Sequence, residues 1–199
     1  IDGRVHHFKW WDSGGYQPNE KRLQTFVDDM VRIAKEHHAL FGVPDWPEYT
    51  TVLHLTDTGR GGLEHMNSQT SMMPRSCLFP DHPDEYRDLV SLFSHEYLHQ
   101  WNVKRLRPKC FLDYDLQSET HTDLLWWFEG ATSWLGDMIC VRSGAWTEED
   151  WRLDFERKMK RHTANNGMLR ESLSESSHDA WIHLYRSGPY TRESQISYY

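Results

Sequence analysis

One stretch combines residue types with a definite chemistry: Ser94-His95-Glu96-Tyr97-Leu98-His99-Gln100-Trp101. On a helix, residues i and i+4 share a face, so His95 and His99 can reach one metal ion. Glu96, beside the first histidine, can hold the attacking water as a general base. The chain has 13 histidines, so the five-residue pattern needs support from its surroundings. A plain amphipathic helix with two ordinary histidines would look the same over so short a span.

The surroundings supply that support. Tyr86, Leu89, Val90, Phe93, Tyr97 and Trp101 recur at helical spacing. They predict a helix from Pro83 to about Arg105, with Asp81 as its cap and a stop before Pro108. The two histidines fall off the apolar stripe, which lets one face pack on a core while another faces a cleft. A third ligand is expected about one loop and one antiparallel helix further on. Glu129, in Trp126-Trp127-Phe128-Glu129-Gly130, fits. A carboxylate among aromatics is costly unless paired or metal-bound. Two histidines, one carboxylate and an open position for water describe a catalytic zinc site, with one Zn2+ per chain. Asp137 lies near the same helix face and is expected to orient a ligand histidine, with Asp123 as a competitor.

The elements that must position these groups follow from patterning. Val5 to Trp11 reads as extended. Asn19 caps a helix whose stripe runs from Leu23 to Phe41 and ends at Gly42. Tyr49 to Thr56 reads as a strand. Gly61 and Gly62 precede a short edge strand ending near Glu64, where an extended peptide can add itself by main-chain hydrogen bonds. Glu64 there could grip a substrate ammonium group. Residues 71–82 read as a loop. Thr122 caps a second long helix that ends at Gly144, and Thr147 opens a third with a capping-box start that runs to about Gly167. Residues 171–197 are polar and turn-rich, with an apolar patch from Ala180 to Tyr185.

Composition bounds the partners. The net charge is −8 and the pI about 5.9, against nucleic acid or an anionic membrane as the main partner. Lys104-Arg105-Leu106-Arg107 is the densest basic run, too short for a binding arm. No apolar run approaches the ~20 residues of a membrane span. A soluble chain is expected, cytoplasmic by preference, its oligomeric state open. Cys77, Cys110 and Cys140 are odd in number and widely spaced, as free thiols are.

Longer stretches resemble one family, the glycyl aminopeptidases, a branch of the gluzincin metallopeptidases. His95-Glu96-Tyr97-Leu98-His99-Gln100-Trp101-Asn102-Val103-Lys104-Arg105-Leu106-Arg107-Pro108 resembles its extended metal-helix signature. Trp127-Phe128-Glu129-Gly130 with Thr132-Ser133 resembles its third-ligand segment, and Gly61-Gly62-Leu63-Glu64-His65 its substrate strand. Ser177-His178-Asp179-Ala180-Trp181 and Ile196-Ser197-Tyr198-Tyr199 resemble its later landmarks. The likeness runs from about residue 49 to the end.

The resemblance implies an α+β, thermolysin-like (gluzincin) catalytic domain, mostly helical, with a small N-terminal β-sheet bearing a substrate-binding edge strand. Residues 1–82 would form an α/β lobe and 83–199 a helical zinc-binding lobe, cut from a longer chain at both ends. It implies zinc on His95, His99 and Glu129, Glu96 as base, Glu64 on the free amine and the Gly61-Gly62 backbone along the peptide. A terminal tyrosine, Tyr199 before Tyr198, would face the oxyanion. The implied activity is an aminopeptidase releasing small N-terminal residues, glycine or alanine. A zinc endopeptidase of the same fold and a silent peptide-binding module are the alternatives. Trp134-Leu135 depart from the tyrosines the family carries there, which bears on the pocket.

Overall fold

The computed structural model describes residues 1–113, 115–186, 188 and 196–199. Strand β1, Val5–Asp12, leads through helix α1, Glu20–Phe41, to β2, Glu48–Thr56. Strands β3, Gly61–Glu64, and β4, Ser68–Pro74, complete a sheet of order β1-β2-β4-β3. β1 and β4 both run parallel to β2, and β3 runs antiparallel to β4 at the edge. The expected loop at 71–82 thus begins as strand, followed by a single 3-10 turn at Arg75–Leu78.

Local chemistry explains the first helix. The Asn19 side chain accepts hydrogen bonds from the Lys21 and Arg22 amides, satisfying two of the orphan donors of α1. Gly42 ends it at φ 88°, a conformation L side chains rarely adopt. Alternation in β2 turns Tyr49, Thr51, Leu53 and Leu55 inward. Tyr49, Leu53 and Leu55 share one core with Phe26, Met30 and Ile33 of α1.

Helix α2, Pro83–Leu98, packs on the same face, and its last ten residues are all buried. Pro83 takes the first helical turn as expected, but His82 rather than Asp81 stands at the cap, without a side-chain hydrogen bond. The helix ends at Leu98, not near Arg105. The amides of Gln100 and Trp101 bond back to Tyr97 and Leu98, tightening the last turn, and Asn102 bridges to Leu106. The cause is tertiary. The Asn102 side chain donates to Thr132 Oγ1 at 2.8 Å and to the Trp127 carbonyl at 3.3 Å, drawing the chain off the helix axis.

A π-helical turn, Trp126–Ala131, runs directly into α3, Thr132–Arg142. It begins later than the expected Thr122, whose hydroxyl accepts the Leu124 amide in the preceding turn. α3 approaches α2 closely: a Cβ on Gly136 would lie 3.3 Å from the His95 amide nitrogen, and Ser94 Oγ donates to the Gly136 carbonyl at 2.8 Å. Helix α4, Glu148–Thr163, starts with the capping box of Thr147 and Asp150. Two short helices follow, α5, Leu173–His178, and α6, Ala180–His183. One core runs from Phe26 through Leu55, Phe93 and Tyr97 to Ile139 and Trp146, so sheet and helices share it. The three cysteines are free. Among the described residues, no helix is long and apolar enough to cross a membrane.

Candidate metal centre

α2 and the π turn bring three ligand atoms to one point. His95 Nε2 lies 3.0 Å from Glu129 Oε2 and 3.0 Å from His99 Nε2, and His99 Nε2 lies 3.6 Å from Glu129 Oε2. Bonds of about 2.0–2.1 Å to a tetrahedral zinc would set ligand atoms about 3.3 Å apart. The three separations bracket that value, so the donor set fits the metal the sequence implies.

The far ring nitrogens are held so that the near ones stay free. His99 Nδ1 donates to the Asn102 carbonyl at 2.8 Å. His95 Nδ1 pairs with Ser133 Oγ at 3.1 Å. The carbonyl, which only accepts, selects for His99 the tautomer whose Nε2 carries a lone pair towards the cluster, and the Ser133 hydroxyl is able to accept from His95 Nδ1 in the same way. Asp137 does not take this part. Its carboxylate accepts from Ser91 Oγ at 2.7 Å and pairs with Lys158 of α4, while Asp123 is exposed. Ser133 and Asn102 do the positioning instead. Their signal was their spacing: Ser133 is four residues beyond Glu129, and Asn102 three beyond His99.

Electrostatics tie the cluster together without metal. Burial works against an ionised Glu129, but the two histidines outweigh it and hold its pKa down to about 2. Burial likewise disfavours a charged His99, yet Glu129 and Glu96 push it up to about 9. His95 is lowered, by burial first.

Glu96 lies beside the cluster, with Glu64 and His99 ligand atoms within 4.8 Å of its carboxylate. Burial, reinforced by Glu129 and Glu64 and opposed by His99, raises its carboxyl to about 8. The edge strand passes directly over it. A Cβ on Gly62 would fall 2.1 Å from Glu96 Oε1, so only glycine lets β3 come this close. Gly61 has open space around it. On the edge away from β4, β3 has no strand partner among the described residues. Glu64 sits on the Gly62 side of β3, and its Oε1 accepts from Lys104 Nζ at 2.8 Å. Sequence reading did not foresee that ion pair.

The chain's last residues close the site. Ser176 Oγ of α5 donates to the Ile196 carbonyl, and the Ile196 amide donates to Glu171. The Tyr198 carbonyl packs where a Cβ of Gly130 would be, 2.5 Å away. The Tyr199 ring lies 6.1 Å from that of His95, while Tyr198 is buried and stacked on Tyr199 at 5.0 Å. Partial desolvation of Tyr199, which is about half exposed, and the neighbouring Glu129 charge hold its pKa above the usual range, so it stays a donor at neutral pH.

The M61 glycyl aminopeptidase family model matches residues 88–199, a span that takes in both histidines, Glu96, Glu129 and the terminal tyrosines. The chain belongs to this family. Among solved structures, an aminopeptidase N family protein from Idiomarina loihiensis is similar at TM-score 0.86 and 32% identity, over 96% of this chain and 32% of that one. This M61 chain thus spans about a third of that protein's length. No curated protein matches it significantly. The family is one of peptidases, and the mixed fold with a small N-terminal sheet agrees with the aminopeptidase-like neighbour.

Proposed function

We propose that this M61 chain is the catalytic region of a zinc aminopeptidase. The observation that carries the reading is the triangle of His95, His99 and Glu129 atoms at tetrahedral-ligand separations, with Glu96 beside it and, above it, the β3 edge that has no strand partner among the described residues. These three residues would hold zinc. When bound, zinc makes water acidic near pKa ~7 and polarises a carbonyl.

The chain's own groups do the rest. An extended peptide lies along β3 by main-chain hydrogen bonds, at the closeness Gly62 permits. Glu96, which a dication on the neighbouring ligands would hold ionised against the repulsion of Glu129 and Glu64, takes the proton of the attacking water and passes it to the leaving amine. Tyr199 donates a hydrogen bond to the oxygen on which charge develops, stabilising the transition state more than the substrate. Glu64 receives the free N-terminal ammonium, which rewards an exopeptidase substrate and penalises a continuing chain. Small N-terminal residues are the expected preference, from the family name.

One contact supports a second reading, a zinc endopeptidase. Glu64 is already paired with Lys104, so its carboxylate is not waiting for a ligand. Peptides with free and acetylated N-termini separate the two. An aminopeptidase leaves the acetylated peptide uncut, and equal cleavage of both would overturn the exopeptidase assignment. Elemental analysis tests the metal. The wild type should hold near-stoichiometric zinc and Glu129→Ala should lose most of it. Zinc retained in that variant would remove Glu129 from the ligand set. A silent peptide-binding module would bind peptides without turning any over.

A further inference from the structure

The basic run Lys104-Arg105-Leu106-Arg107 is dealt out by the fold in different directions. Lys104 pairs with Glu64. Arg105 reaches Asp45 at 3.1 Å on the exterior. Arg107 is half-buried and donates to the Lys104 carbonyl, with no carboxylate in reach among the described residues. Its side chain lines a cavity of about 430 Å³ that also touches Glu64 and the ligand Glu129. In a chain with 30 acidic against 22 basic residues, a guanidinium beside the active centre with no carboxylate in reach among the described residues is out of keeping.

The other charges on the cavity wall are accounted for. Glu64 is neutralised by Lys104, and Glu129 belongs to the metal cluster. Asp115 accepts from the Gln117 amide at 2.9 Å and from Ser118 Oγ at 3.3 Å, closing its own turn. Leu125, Phe128 and Trp181 give the cavity apolar walls, which strengthen an ionic contact made inside it. A planar guanidinium matches a carboxylate in a two-pronged pair.

We propose that Arg107 is a specificity-determining residue that takes a substrate carboxylate in this cavity. The inference rests on the aminopeptidase reading. The carboxylate has two possible sources, the side chain of an N-terminal aspartate or glutamate, or the C-terminus of a dipeptide.

The test uses the zinc-loaded chain and its R107M and R107K variants. Glutamyl, glutaminyl and alanyl p-nitroanilides probe the side chain. Ala-Gly against its C-terminal amide probes the terminus. The wild type should favour one carboxylate over its amide by about tenfold or more in kcat/KM, the worth of one charged hydrogen bond. The ratio should fall towards unity in R107M and to an intermediate value in R107K, and whichever pair shows it names the source. Wild type without either preference, or a preference that survives both substitutions, overturns the inference. If no substrate is cleaved, alanyl p-nitroanilide included, the aminopeptidase reading is what fails. Calorimetry with L-glutamate and L-glutamine then decides. Tighter glutamate binding in wild type, abolished in R107M, sustains the inference, and equal binding overturns it.

Discussion

Helix α2 has histidines packed against both its faces, and only one face makes a metal centre. On the front, His95 and His99 turn their Nε2 atoms towards each other and towards Glu129. On the back, His6 and His38 each place Nε2 2.8 Å from the Tyr97 hydroxyl, and His38 Nδ1 lies 2.7 Å from Asp2. The Tyr97 hydroxyl thus sits between the two Nε2 atoms, His38 Nδ1 donates to Asp2, and His6 Nδ1 faces the Arg4 carbonyl at 3.3 Å. Burial pushes His6 down to about 4, so it stays neutral there. What separates the two faces is the partner of the second ring nitrogen. On the front, Ser133 and the Asn102 carbonyl take up Nδ1 and leave lone pairs converging. On the back, a hydroxyl that can both donate and accept consumes them. A cluster of histidines therefore becomes a metal site through the groups behind the rings more than through the number of rings.

The sharpest break is on the front. Glu96→Gln should keep zinc yet lose about 10²–10⁴-fold in kcat, because the amide cannot take a proton. Activity near wild type would move the base elsewhere. Gly62→Ala comes next. Its methyl group would overlap the Glu96 carboxylate, so either strand or carboxylate must shift. A displacement of about 1 Å can cost on the order of 10²-fold in rate. The expected signature is a fall in kcat with zinc content intact, and an unchanged kcat would mean β3 does not sit so close in solution. Ser133→Ala is milder, since it frees His95 to rotate and swap tautomers. Zinc affinity should weaken by about 10–100-fold, read by competition with a chelator. No change would assign the orientation of His95 to packing alone.

How much of this was legible in the sequence depended on whether the controlling interactions were local. The spacing of His95 and His99, the glycine pair that opens β3 and the Asn19 cap are short-range features, and each reappears in the fold. Strand β4 escaped notice because it turns Gln69 and Ser71 inward, so no apolar alternation marks it. Its parallel partner β2 is far enough away in sequence to leave no local sign. The end of α2 was misplaced because Asn102 bonds to a segment 25–30 residues away. Asp137 was misassigned for a related reason. Helical faces counted at 3.6 residues per turn do not carry across the π turn that holds Glu129.

The back of α2 provides the smallest effect on catalysis and the strictest control. Tyr97→Phe keeps the ring that packs in the core but removes the hydroxyl shared by His6 and His38. His38 would be left with a buried Nε2 lacking its hydrogen-bond partner, at a cost of about 1–3 kcal/mol. For a chain of this size that corresponds to a fall in melting temperature of about 2–4 °C per kcal/mol. Zinc content and kcat/KM should stay near wild type, because Tyr97 points away from the cluster although it lies between Glu96 and His99 in the chain. Loss of zinc in this variant would mean that the two faces share one network through the helix backbone. The front would then owe its geometry to the contacts behind it rather than to Ser133 and Asn102.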